Sequence, residues 1–329
     1  MSNNEQVFLS KIIPNLNQKS NLLPGNEDAI AFRSDMSFGS IYTVNVDSIS
    51  WSSDALPSVN FSPENFGRKC VVVTLSDLCA KGVEPKFFLS AVCVPSDYKK
   101  QDLEAIISGM NDACEEFSVE YLGGDLGTSL EVVISGVAIG QSDSLMMRKT
   151  CKIDDSVYVT GFFGYTGLAY AESFDQISLP STLQRTVHQR ILRPYPKIVE
   201  SSILKEYASA CIDSSDGLAI SLYHLSNESN KIISLTSLPI DPYLKETVEE
   251  IGHVNLLEII CHAGEEFELV FTISRENEEK MLKQFKMKNL KLPIRIGTVI
   301  SEGKQVRNDT TLSSEVLENR GWDTLRDIV

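Results

Sequence analysis

Five short acidic motifs interrupt apolar or glycine-rich stretches of this chain: Asn26-Glu27-Asp28, Val46-Asp47-Ser48, Leu75-Ser76-Asp77-Leu78, Gly123-Gly124-Asp125 and Asp213-Ser214-Ser215-Asp216-Gly217-Leu218. Most close a strand-like run, as Asp47 does after Tyr42-Thr43-Val44-Asn45-Val46, or sit in a turn. A carboxylate in such surroundings is costly to desolvate unless it is paired or holds a cation. The set therefore points to one convergent metal cluster, and the natural ligand of such a cluster is a polyphosphate. Magnesium binds through one or two carboxylates plus substrate phosphates and keeps several waters. Isolated aspartates on separate turns suit that habit better than one dense chelating loop. The competing reading is a helix cap, since Ser76-Asp77 and Ser215-Asp216 each precede an apparent helix.

A chain of 329 residues is long for one core and implies two domains. We place the boundary in the polar stretch 141–155, giving an N-terminal domain over 1–145 and a C-terminal domain over 146–329. The net charge of −15 argues against a nucleic-acid backbone or an anionic membrane as partner. It permits an anionic substrate, because bound divalent cations invert the local field. The seven cysteines have no C-x-x-C spacing and sit mostly in apolar runs. They read as reduced, buried thiols of a cytoplasmic protein. The first thirty residues carry no apolar signal segment, and no run reaches membrane-spanning length.

Strands and helices alternate along the chain. An opening helix is expected over residues 5–20. Strands are expected at 41–46, 70–75, 88–94, 121–122 and 131–139. Helices are expected from Leu78 to Val83 and from Gln101 to Phe117, where Leu103, Ile106, Ile107, Met110 and Cys114 share one face. A second series starts with the strand 156–160, whose Gly161-x-x-Gly164-x-x-Gly167 turn leads into a helix. After a helical hairpin, Arg193-Pro194-Tyr195-Pro196 breaks the chain. Strands follow at 210–212, 268–273 and 294–299, with a helix from Leu218 to Leu225.

The glycine turn fits neither the G-x-x-x-x-G-K-[ST] phosphate loop nor the dinucleotide fingerprint. Protein-kinase signatures are missing too. Gly123-Gly124 lets a backbone approach a phosphate closely, and Arg148 has the fork geometry for bidentate phosphate contact. The histidines at 188, 224, 253 and 262 show no metal-ligand spacing.

Together these motifs resemble thiamine-monophosphate kinase, within the superfamily that includes aminoimidazole ribonucleotide synthetase. The resemblance runs from about Asn26 to Asp323. Leu75 to Pro85 matches the superfamily element Asn-Leu-Ser-Asp-Leu-Ala-Ala-x-Gly-x-x-Pro, with Lys81 at the first variable position. Arg193 to Pro196, Asp213 to Leu218, Ala263 to Leu269 and Gly321-Trp322-Asp323 resemble kinase-specific pieces. The chain departs from the common bacterial pattern at several points. A Gly-Asp-Asp becomes Asn26-Glu27-Asp28, a Thr-Asp-Thr becomes Val46-Asp47-Ser48, and Gly-Gly-Glu-Asp-Tyr becomes Ala263-Gly264-Glu265-Glu266-Phe267. Several departures are similar to the archaeal branch.

The resemblance implies an α/β (α+β), two-domain aminoimidazole ribonucleotide synthetase-like fold, with an N-terminal mixed-sheet domain and a C-terminal α/β domain closing over the cleft. It implies transfer of the ATP γ-phosphate to thiamine monophosphate, giving thiamine diphosphate, on several Mg²⁺ ions and in a homodimer. Asp28, Asp47, Asp77, Asp125, Asp213 and Asp216 match metal ligands, with Asn45 beside them. Asp47, Asp77, Asp125 and Asp216 are the expected catalytic set. Gly124, Asp125, Arg148 and Ser215 match nucleotide-side positions. Asp54, Glu265 and Trp322 match the acceptor side. The alternatives are another ATP-dependent enzyme of the superfamily and a nucleotide-binding homologue without catalysis.

Overall fold

The computed structural model of the chain describes residues 11, 21–23, 27–33, 40–174, 177–310 and 314–323. The helix expected over 5–20 lies outside them, Lys11 apart, as does Asn26. Strands β1 (Ile30–Arg33), β2 (Ile41–Ser50), β3 (Glu84–Val94), β4 (Glu120–Thr128) and β5 (Val133–Ser142) form one sheet in the order β1-β2-β5-β3-β4. Neighbours are antiparallel except β3 and β4, so the sheet is mixed. Successive residues of a strand face opposite sides. In β2 this buries Thr43, Asn45 and Ile49 while Val46 and Ser48 are exposed.

The buried side of this sheet packs against α1 (Pro63–Ala80), which α2 (Lys100–Glu116) flanks. Gly67 and Gly109 let the two helices touch. A Cβ on either would come within 2.1 Å of the Ile106 carbonyl oxygen or 2.0 Å of that of Glu64.

Helix α1 corrects two expectations. The run 70–75 is its middle and not a strand, and Leu78 lies near its end and not at the start of a new helix. The helix begins at Ser62-Pro63, where the Ser62 hydroxyl accepts from Asn65 N–H at 3.1 Å and Pro63 takes the first turn. Once begun, it runs through the β-branched residues because burial on almost every side outweighs their strand preference. It ends at Ala80, and Gly82, with φ +72°, turns the chain away. Asp77 thus sits in the last helical turn, where a capping role is excluded and the helix dipole disfavours a carboxylate.

The second sheet contains β6 (Ser156–Val159), β7 (Ala208–Asp213), β8 (Lys231–Leu235), β9 (Leu269–Ile273), β10 (Ile294–Glu302), β11 (Gln305–Asn308) and β12 (Glu315–Val316). Their order is β12-β11-β8-β10-β6-β9-β7, antiparallel except for β11 against β8. Helices α3 (Tyr165–Phe174), α4 (Ser181–Leu192), α5 (Ile198–Tyr207), α6 (Leu218–Ser229), α7 (Pro242–Ile251) and α8 (Arg275–Met287) accompany it.

Residues of both sheets, such as Phe88 and Ile134 with Val159 and Val270, belong to one hydrophobic core. At the C-terminal end of α1, Cys79 and Ala80 share a second core with Ile203, Leu204 and Phe271. Helix α1 therefore links the two halves and brings Asp77 to the end of β7. All seven cysteines are free thiols and six are buried. Among the described residues no helix is long and apolar enough to cross a membrane.

Candidate active site

Three elements and one loop meet at the junction of the sheets. Strand β2 supplies Asn45 and Asp47, the last turn of α1 supplies Ser76 and Asp77, and β7 ends on Asp213. The segment before β1 adds Glu27 and Asp28. Carboxylate oxygens of Asp28, Asp77 and Asp213 lie within 4.8 Å of one another. Asp47 joins them, near enough to Asp77 for each carboxyl to act on the other.

Burial, followed by the charges of Asp213 and Asp47, holds the Asp77 carboxyl well above the usual carboxylate range. Asp213 is also pushed up by burial, against the Ser76 hydroxyl, which donates to its Oδ2 at 2.8 Å, and against Arg148 and Lys81. Burial raises Asp47 as well, although Asn45 donates to its Oδ2 at 2.6 Å. Asn45 Nδ2 also faces the Thr74 carbonyl oxygen at 3.3 Å. Both partners of that amide nitrogen are acceptors, so Asn45 holds Asp47 here.

Two cations counter these acids. Lys81 is wholly buried, with Nζ 2.6 Å from Asp28 Oδ2 and in contact with Glu27. The Arg148 guanidinium pairs with Asp28 Oδ1, and the Arg148 backbone N–H meets both Glu27 oxygens at 3.1 and 3.2 Å. Glu27, Asp28, Asp47, Asp77 and Asp213 are five carboxylates against two fixed cations. That excess of buried negative charge suits bound divalent cations, which would relieve the repulsion raising Asp77. Facing the same centre, His224 of α6 stays neutral. Burial and then the Arg148 and Lys81 charges hold its imidazole well below the ordinary range.

Ser215 and Asp216 lie in the turn between β7 and α6, half-buried beside the cluster. Asp216 lies close enough for its charge to act on Arg148. The turn also reaches a second region. The Ser215 carbonyl oxygen accepts from Glu265 N–H at 2.7 Å, and that of Asp216 accepts from Trp322 N–H at 3.0 Å. Trp322, Tyr170, Phe174, Ile259, His262 and Gly264 line a cavity of about 320 Å³ there. Glu265, held at φ +67°, pairs with Lys69 Nζ at 2.5 Å. The same ammonium donates to the Asp54 carbonyl oxygen at 2.7 Å. One buried lysine thus joins two expected acceptor-side residues. It also neutralises Glu265, which therefore adds no free negative charge to the cavity.

Gly124 and Asp125 stand apart. Gly123, with φ +107°, shifts the register of β4 against β3. Gly124 then lies so near Ser90 that a Cβ would meet its carbonyl oxygen at 1.6 Å. Such a bulge re-aims the next side chain. Asp125 follows, exposed on the edge strand, opposite Ala91 and not at the end of a strand. Strands β5 and β3 separate β4 from β2, a span of roughly 14 Å at the usual inter-strand spacing. The chain's own fold therefore gathers Asp28, Asp47, Asp77 and Asp213 but leaves Asp125 outside.

Residues 25–142, the first sheet and its helices, match the family model AIR synthase related protein, N-terminal domain. Thiamine-monophosphate kinase from Nitrosopumilus maritimus is 28% identical over 85% of this chain and 88% of that protein. Its counterpart from Pyrococcus abyssi is 31% identical over 86% of this chain and 85% of that protein. The chain belongs to the thiamine-monophosphate kinase family. The solved structure of AaThiL complexed with AMPPCP and TMP superposes with a TM-score of 0.80 at 25% identity, covering 97% of this chain and 96% of that one. Likeness to the thiamine-monophosphate kinases thus extends past the first sheet into the half that carries the cavity.

Lys69, Lys81 and Tyr170 escaped the sequence reading. The lysines leave a trace, since each adjoins an apolar run (Lys69 before Cys70-Val71-Val72-Val73, Lys81 after Leu78-Cys79-Ala80) where a solvated side chain has no room. Tyr170 leaves none, because it is one aromatic among several in α3.

Proposed function

We propose that this chain transfers the γ-phosphate of ATP directly to thiamine monophosphate, forming thiamine diphosphate, with Mg²⁺ held at the acidic centre. One observation carries the reading. The turn Asp213–Asp216 is shared by a buried excess of carboxylates and an aromatic cavity, so phosphate donor and acceptor would be aligned by one short segment. The AaThiL structure, complexed with AMPPCP and TMP, supports the same pair of substrates.

Asp47, Asp77 and Asp213 would hold the magnesium, with Asp216 and Asp28, whose two oxygens already meet Lys81 and Arg148, at their margin. Bound there, magnesium would neutralise the charge of the transferring phosphoryl group. Arg148 and Ser215 would orient the nucleotide phosphates, which Gly124, on the β4 edge with Asp125, would reach only across a dimer. The acceptor's own phosphate is the nucleophile, so no general base is required, and neutral His224 has no proton to remove. Trp322 and Tyr170 would receive the flat cationic acceptor by stacking and cation–π attraction. Lys69 keeps Glu265 and the Asp54 turn in register around it.

The working unit in this reading is a cytoplasmic homodimer, which accords with seven free thiols. Residues 1–145 would bind metal and nucleotide and form the dimer, while 146–329 close the cleft. The first sheet exposes Val46, Phe87, Leu122 and Leu126 and ends on the unpaired edge of β4, a surface suited to a second copy. Its position on that edge would deliver Asp125 to the acidic centre of the partner.

The test is ATP turnover with thiamine monophosphate, compared with thiamine and with no acceptor. Thiamine diphosphate formed only with the monophosphate is the expected result. ATP consumption without that product would transfer the chain to another acceptor, and no consumption would make it a binding protein.

A further inference from the structure

Lys81 has no place in the proposed transfer, yet it borders the centre at Asp28. Its position is fixed by the fold. It follows the last turn of α1, its N–H bonds the Leu78 carbonyl oxygen at 3.1 Å, and its own carbonyl oxygen accepts from Met146 N–H at 3.0 Å. From there the side chain has no solvent exposure and ends between Glu27 and Asp28. An ammonium is a compact point charge with three donors and no acceptor. Here two of its contacts are carboxylates, and Asp28 is one of the three acids whose oxygens converge.

Glu27 belongs to the same arrangement. It stands where the common pattern has a shorter aspartate, and the added methylene lets one carboxylate meet both the Lys81 ammonium and the Arg148 N–H. The longer acid at Glu27 and the lysine at the variable position 81 are thus two halves of one contact.

We propose that the Lys81 ammonium is a resident cation of the acidic centre, taking on the Asp28 side the place a divalent ion would otherwise fill. The chain then binds one metal ion fewer than its carboxylates alone would hold. The inference rests on the metal-binding reading of the centre. A divalent ion approaching Asp28 meets a like charge already in place, in a setting where screening by water is weak.

The test titrates the metal-free full chain with Mn²⁺, following bound ions by calorimetry and the melting temperature in parallel. Lys81→Met keeps the length of the side chain and removes its charge. One additional Mn²⁺ per chain is expected, or a weakest site tightened at least about tenfold, the scale of losing a like charge a few ångström away. The variant should melt earlier than the parent in EDTA and regain the difference in Mn²⁺. Glu27→Gln combined with Lys81→Met removes both ends of the pair, which protects the fold, and should keep the additional ion at Asp28. Equal stoichiometry and affinity in parent and Lys81→Met would overturn the proposal. So would a double variant that binds as the parent does, because Lys81 would then serve Glu27 alone. A parent that takes up no Mn²⁺ would remove the metal-binding reading itself.

Discussion

The acidic centre is built mainly from regular elements, an interior strand, the last turn of a buried helix and the end of a second strand, with the segment 27–28 before β1 added to them. The aromatic cavity a few residues away is walled mainly by the segments 258–264 and 320–322, with α3 behind them. The centre concentrates like charges that repel one another. The charges of the cavity wall and of the segment next to it are kept apart, each with a partner of its own: Glu258 on Arg320, Glu265 on Lys69, and Glu266 on the N–H groups of Gly164 and Thr166 at 2.7 and 3.2 Å. A site meant for cations can store unfavourable charge, provided rigid elements hold it. A site meant for an organic cation can rely on aromatic faces and satisfied loops. Changes to the repelling carboxylates of the centre should therefore cost catalysis and spare stability, while changes in the cavity should cost acceptor binding or loop stability.

The largest expected effect is that of Asp77→Asn. The amide keeps the shape and loses the charge, so turnover should fall about 10²- to 10³-fold, the scale of removing one electrostatic stabiliser. The melting temperature in EDTA should not fall, since one carboxylate has left a group that repels itself. Turnover and melting falling together would make Asp77 an ordinary structural residue and erase the contrast.

Next comes Glu266, which burial raises from 4.5 to about 7 against its hydrogen bonds from Thr166 and Gly164. A carboxyl raised on folding contributes stability that is fully present below its unfolded pKa. That contribution is lost as pH rises through the folded value. Relative to Glu266→Gln, the parent should therefore lose up to about 3 kcal/mol between pH 4.5 and 7. Denaturant melts of both proteins across that range check it, and parallel curves would show Glu266 to be ionised as readily as a solvated carboxylate.

The smallest effect is that of Trp322→Ala. Loss of one cation–π face should raise KM for thiamine monophosphate by a factor of about 2 to 30 and leave KM for ATP unchanged. Equal movement of both constants would make Trp322 a structural anchor of the chain end.

The contrast also explains which features the sequence disclosed. Aspartates inside apolar runs announce the centre, because nothing but a partner or a cation justifies them there. The turn from Asp213 to Leu218 and the strands around it were legible for the same reason. Val71-Val72-Val73-Thr74 read as a strand, because local preference cannot anticipate a helix buried between two sheets. Lys69 and Lys81 were passed over because a lysine ordinarily reaches water. The separation of Asp125 from Asp47 depends on β5 and β3 lying between their strands, an order that no spacing along the chain reveals. Helices α7 and α8 went unannounced, although Asp241-Pro242 is a start signal of the kind that opens α1.

The most direct measurement is the anomalous signal of Mn²⁺ in crystals grown with a non-hydrolysable ATP analogue and thiamine monophosphate. Manganese peaks among Asp28, Asp47, Asp77 and Asp213, with Asp125 of the partner subunit on the nucleotide side and the acceptor ring against Trp322, are the expected result. Manganese bound away from those four carboxylates, or an acceptor ring outside the Trp322 cavity, would contradict the division of labour between the two regions.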